Sequence, residues 1–123
     1  MEKVPAMEKV TIYHNPRCSK SRQVLKLLQE RGCQVEIIEY LKSPPSAEEL
    51  AAFCRRLGLQ PLELMRCKEQ LFSEMGLAED DARSNQDWLQ IMADNPILIE
   101  RPIVVHDQQV ALGRPPERVL KIL

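Results

Sequence analysis

The sequence predicts an α/β fold built on one mixed sheet, and three observations carry that prediction. Short β-branched apolar runs come in two pairs, at 10–13 and 35–40, then at 103–105 and 110–112. An apolar helical stripe at 24–28 separates the first pair, and a helical block at about 46–95 separates the two pairs. The order βαβ, helical block, ββα is satisfied by a single sheet with helices packed on it. The composition agrees: 123 residues, 44% hydrophobic and 28% charged, is the profile of one soluble domain, expected over 8–123 with residues 1–7 as a disordered leader.

Each element has a local cause. Val10, Thr11, Ile12 and Tyr13 read as a strand, stopped by His14-Asn15-Pro16. A helix follows from about Ser19 to Arg31, with Val24, Leu25, Leu27 and Leu28 as its apolar stripe and Gly32 past its end. Val35, Ile37, Ile38 and Tyr40 form a second strand, and a helix between two such strands implies a parallel pair. Pro44-Pro45 blocks helix, after which Ser46 and Glu49 have capping-box spacing for a helix ending at Gly58. Pro61 opens a short helical segment, and another runs through Leu71, Phe72 and Met75 to Gly76. Ser84 caps a further helix carrying Trp88, Leu89, Ile91 and Met92, which stops at Asn95-Pro96. Ile103–Val105 and Val110–Leu112 flank a polar turn and make a hairpin. Pro115-Pro116 then begins a last helix through Val119, Leu120 and Ile122.

Several function classes drop out on charge and patterning. Seventeen Lys and Arg against eighteen Asp and Glu give a net charge of −1, which excludes binding to nucleic acid or anionic membrane by bulk charge. There is neither an apolar run near the ~20 residues of a membrane span nor a signal-peptide core, so the expected location is the cytoplasm. The cysteines at 18, 33, 54 and 67 form no C-x-x-C and no zinc spacing with histidine, so neither a metal nor disulfide staples are expected.

Cys18 stands apart from the other three. It lies between a strand end and a helix start, where unpaired N–H groups favour anions. An ordinary thiol with a pKa near 8.5 is only about 3% ionised at pH 7. Moving it to about 6.5 takes roughly 2.7 kcal/mol of preference for the thiolate. A helix terminus supplies ~0.3–1 kcal/mol, so neighbouring cations and hydrogen bonds must add to it. Arg17, Lys20, Arg22 and His14 are the local candidates. Cys33 and Cys54 sit among apolar residues and read as core, whereas Cys67, beside Lys68, is ambiguous. Ser21 stands where a dithiol enzyme carries its second cysteine, so an adduct on Cys18 must be resolved by another molecule or a remote cysteine. Arg66, Arg101 and Arg114 complete the candidates; spacing alone does not bring them together, and Arg101-Pro102 is a candidate cis peptide.

At these residues the chain resembles the glutaredoxin-dependent bacterial arsenate reductases, in their short branch. The resemblance is carried by Ile12-Tyr13-His14-Asn15-Pro16-x-Cys18-x-x-Ser21-Arg22, by Leu64-x-Arg66-x-Lys68-Glu69 and by Gly76-Leu77-Ala78-Glu79-Asp80. It continues through Asn95-Pro96-x-Leu98-Ile99-x-Arg101-Pro102-Ile103-Val104-Val105 and Gly113-Arg114-Pro115-Pro116, covering about 8–123. It implies a thioredoxin-like sheet with a helical insertion and a cis peptide at Pro102. It also implies a role in arsenic detoxification, with Cys18 as nucleophile towards arsenate, His14 assisting it, and Arg66, Arg101 and Arg114 around the oxyanion. Asn15, Ser21, Arg22 and Pro102 would support the site. Glutathione would be a consumed cosubstrate and glutaredoxin the partner, with no bound cofactor. Two other readings share the scaffold: a regulatory module like the Spx-type regulators, and a glutathione-dependent thiol oxidoreductase indifferent to arsenate. The first generally carries the C-x-x-C that Ser21 breaks here, and the second has no need of three arginines.

Overall fold

In the computed structural model, which describes residues 8–123, the first β-branched run forms β1 over Lys9–His14. Its residues alternate, so Val10 and Ile12 face the core while Thr11 is only half-buried. Helix α1 follows over Ser19–Glu30 and buries Ser21, Val24 and Leu28. It closes at Gly32, whose φ of 76° is open to glycine at no cost, as the Cys33 N–H donates back to the Leu28 carbonyl at 3.1 Å. Strand β2 covers Gln34–Glu39, β3 Ile103–His106 and β4 Gln109–Leu112.

The sheet is mixed, in the order β2-β1-β3-β4. β1 pairs antiparallel with β3 through Ile12↔Val104, and β3 pairs antiparallel with β4 through Val104↔Ala111. His106 and Gln109 also pair, so the hairpin turn is shorter than the polar run 106–109 suggests. Backbone groups form that ladder whatever the side chains, and Asp107 takes the left-handed φ of 55° at the turn. The last helix is a 3-10 helix over Pro116–Ile122 rather than an α-helix. α1 packs on β1 and on this 3-10 helix, around a core of Val10, Ile12, Val24, Leu28, Cys33, Val104, Ala111 and Val119.

Among the described residues the chain divides into two compact units, 8–38 with 101–123, and 39–100. The predicted helical block lies within the second. There, α2 spans Ala47–Leu57, α3 Gln70–Glu74 and α4 Asn85–Asp94, with 3-10 turns at Pro61–Leu64 and Pro96–Leu98. α2 packs against α4, and Phe72 stacks on Trp88 with ring centroids 6.2 Å apart. The capping box at the start of α2 is complete: the Glu49 N–H donates to Ser46 Oγ at 3.1 Å, and the Ser46 N–H to Glu49 Oε1 at 3.2 Å. Replacing Ser46 with alanine is expected to destabilise the fold by about 1 kcal/mol, read as a lower urea midpoint at unchanged slope. The predicted leader, 1–7, lies outside the described residues.

Candidate active site

Cys18 is the N-cap residue of α1, with extended backbone at φ −92° and ψ 123°. The loop before it is tied down residue by residue. Asn15 Oδ1 accepts the Arg17 N–H at 3.0 Å, and the Asn15 carbonyl accepts the Cys18 N–H at 3.0 Å. Ser21, fully buried, accepts the Asn15 N–H on its Oγ at 3.1 Å and lies 2.5 Å from Nδ1 of the buried His14. A serine hydroxyl has one proton and two acceptor sites, so Oγ can hold the Asn15 N–H and the His14 ring together. One serine thus ties the loop, the histidine and the first turn of the helix together.

Cys18 is partly exposed and makes no conventional side-chain cap bond. Burial pushes the Cys18 thiol up, but four opposing effects outweigh it. The Ser21 backbone N–H, the charge of Arg101, the Lys20 backbone N–H and an Arg101 N–H all favour the thiolate, and the net pKa is lowered. The other three cysteines go the opposite way. Burial raises Cys33 and Cys54, and burial with the carboxylates of Glu79 and Glu100 raises Cys67. All four are free thiols.

The cation that favours the Cys18 thiolate is one of the three arginines that the resemblance implied at the site, not one of the basic residues nearest in sequence. Arg101 acts on the sulfur, whereas the side chains of Arg17, Lys20 and Arg22 do not. Arg22 turns its guanidinium to the Pro16 carbonyl at 3.0 Å and so helps hold the loop. Lys20 contributes through its main chain alone. Arg101 reaches the site because β3 runs beside β1 and places its start at the end where β1 delivers the loop. Nothing in the spacing of residues 18 and 101 signals that neighbourhood.

Arg101 and Arg114 are joined through the main chain. Arg114 Nε donates to the Arg101 carbonyl at 2.8 Å, while the Gly113 N–H donates to the Pro102 carbonyl at 2.9 Å. Both Arg101-Pro102 and Arg114-Pro115 are cis; the sequence pointed only to the first. Gly113 is required by space, because a Cβ there would lie 2.6 Å from Val24 Cγ2 and 2.9 Å from Pro102 Cγ. Arg101 Nε and Nη1 are buried and have no hydrogen-bond partner. Buried guanidinium N–H groups left unpaired are costly, and an anion beside Cys18 would satisfy them. Arg66 lies in the 39–100 unit, where Nη1 pairs with Glu69 at 2.8 Å and Nε lies 3.7 Å from Glu100. The structure therefore brings together His14, Asn15, Cys18, Ser21, Arg22, Arg101, Pro102 and Arg114 in one unit, and holds Arg66 on carboxylates in the other.

The sequence profile of the ArsC family matches residues 13–122. The chain belongs to the ArsC family. Among curated relatives, the uncharacterized protein YfgD of Escherichia coli K12 is 49% identical over 117 residues, covering 94% of this chain and 98% of its own. An arsenate reductase of Neisseria meningitidis is 43% identical over 118 residues, covering 95% and 100%. The solved structure of an arsenate reductase from Vibrio cholerae superposes with a TM-score of 0.91 at 48% identity, covering 96% of this chain and 100% of that one. The ArsC fold is thioredoxin-like, as the sequence resemblance implied. No helix among the described residues is long and apolar enough to cross a membrane, and no group of three or more His, Cys, Asp or Glu among them is placed to hold a metal ion.

Proposed function

We propose that this ArsC-family chain is an arsenate reductase that works through Cys18, with glutathione and glutaredoxin as its reductants. One observation carries the reading: two buried, unpartnered N–H groups of Arg101 stand beside a sulfur held towards the thiolate. Relatives named as arsenate reductases, 43% identical over nearly the whole chain, supply the substrate. Arsenate at neutral pH carries one to two negative charges, and a guanidinium fork matches its oxygens while offsetting repulsion from the incoming thiolate.

In this reading the Cys18 thiolate forms a bond to arsenic and one arsenate oxygen leaves as water, giving a sulfur–arsenate ester. Glutathione sulfur then bonds to arsenic as a second oxygen leaves as water; the glutaredoxin thiolate next bonds to that glutathione sulfur, and the sulfur–arsenic bond breaks with its electron pair left on arsenic, giving a glutaredoxin–glutathione mixed disulfide. Two thiols have then lost one electron each and arsenic has gained both; water adds to arsenic, the bond to Cys18 breaks, arsenite departs and the Cys18 thiol is restored. Arg101, with Arg114 tied to its carbonyl, is assigned to the oxyanion. His14, oriented by Ser21, is assigned to proton handling at the departing oxygen. No bound cofactor enters the scheme; glutathione is consumed as a cosubstrate.

The test is NADPH oxidation coupled through glutathione reductase, with glutathione, glutaredoxin and arsenate present. Oxidation that requires all three is the expected result. Ready exchange with a glutathione mixed disulfide but no arsenate turnover would overturn the substrate and leave a thiol oxidoreductase. Arsenite formation, measured directly, that persists without glutathione would overturn the reductant.

A further inference from the structure

We propose that Arg17 and Lys20 form a cationic rim that recruits a small carboxylate-bearing thiol, such as glutathione, to Cys18. The inference rests on the reading of Cys18 as the nucleophile and concerns what reaches it.

Arg17 and Lys20 flank Cys18 and are exposed, as are Pro16 and Ser19. The start of α1 carries no acidic residue, although acids are what a helix N-terminus favours and cations there are disfavoured. A sequence that departs from a local preference beside a reactive group marks a functional demand. Among the described residues no carboxylate lies within ion-pair distance of Arg17 or Lys20, so both charges are open to an incoming anion. Arg22 is occupied by the Pro16 carbonyl.

The two side chains are not needed to hold the thiolate, which is set by Arg101 and the main chain of Ser21 and Lys20. Their charges lie outside the sulfur's own contacts. That is where a tripeptide thiol needs them, because its carboxylates sit several bonds from its sulfur. The cations thus divide by position. Buried Arg101 N–H groups serve an oxyanion against the sulfur, and the exposed pair serves the anionic tail of an incoming thiol.

The test compares two aryl disulfides, dianionic dithiobis(nitrobenzoate) and neutral dithiodipyridine, at low ionic strength. In each case the Cys18 thiolate bonds to one probe sulfur, the probe's S–S bond breaks, and one aryl thiolate leaves with the electron pair. Rates are read against Cys18→Ser, which subtracts the other three thiols. The Arg17→Gln/Lys20→Gln variant is expected to react about three- to tenfold more slowly with the dianion, with the neutral probe changed less than about twofold. Added salt should erase the difference. In the arsenate assay the same variant should raise the KM for glutathione at low ionic strength, and added salt should erase that difference too. Equal slowing with both probes, or no slowing with the dianion, would overturn the rim. Because the probes need no arsenate, the rim can fail or survive independently of the substrate.

Discussion

Cys18→Ser is expected to bring arsenate-dependent NADPH oxidation to background while leaving the fold intact. The reason is chemical: a serine hydroxyl is not ionised near neutral pH, and it cannot form the sulfur–arsenic bond that the proposed mechanism requires. The contacts that shape the loop remain, because Asn15, Ser21 and Arg22 make them without the Cys18 sulfur. Cys33 and Cys54 are buried, and all three other thiols are pushed up rather than down, so none is a substitute nucleophile. The check is the coupled assay beside a circular dichroism melt. Turnover surviving in the variant would refute the nucleophile.

Arg101→Ala is expected to lower turnover by about a hundredfold, the scale on which enzymes lose rate when one oxyanion donor is removed. Two effects add. The two buried N–H groups assigned to the oxyanion are gone, and the thiolate loses the Arg101 charge that favours it. The fold is expected to tolerate the change, since the contact to Arg114 runs through the Arg101 carbonyl and not its side chain. Arg101→Lys keeps a charge but loses the planar fork, and should recover thiolate reactivity better than arsenate turnover. Equal recovery of both would show that the fork contributes nothing to the oxyanion.

Elements governed by local rules were legible in the sequence. The start of α2 follows from the Ser46–Glu49 spacing, and the end of α1 from Gly32 after an apolar stripe. Cys18 was legible for the same kind of reason, since a strand, a proline loop and a helix start are all local signals. What failed to show was set by tertiary neighbourhood or by backbone pairing. Arg101 reaches the sulfur only because β3 pairs with β1, so spacing did not place it there and only the family resemblance pointed to it. The hairpin extends into polar residues because His106 and Gln109 pair through the main chain. Ser21 was legible as the absence of a second cysteine; its link to Asn15 and His14 was not.

The most direct measurement is the rate of iodoacetamide alkylation of Cys18 against pH, in wild type and in Arg101→Ala, followed by mass spectrometry of the Cys18 peptide. A lowered pKa means that the thiolate is already populated at lower pH, so alkylation should rise with a midpoint below the ordinary thiol value of about 8.5. Removing the Arg101 charge should move that midpoint upward. A wild-type midpoint at or above about 8.5, or one that Arg101→Ala leaves in place, would contradict a thiolate held by Arg101.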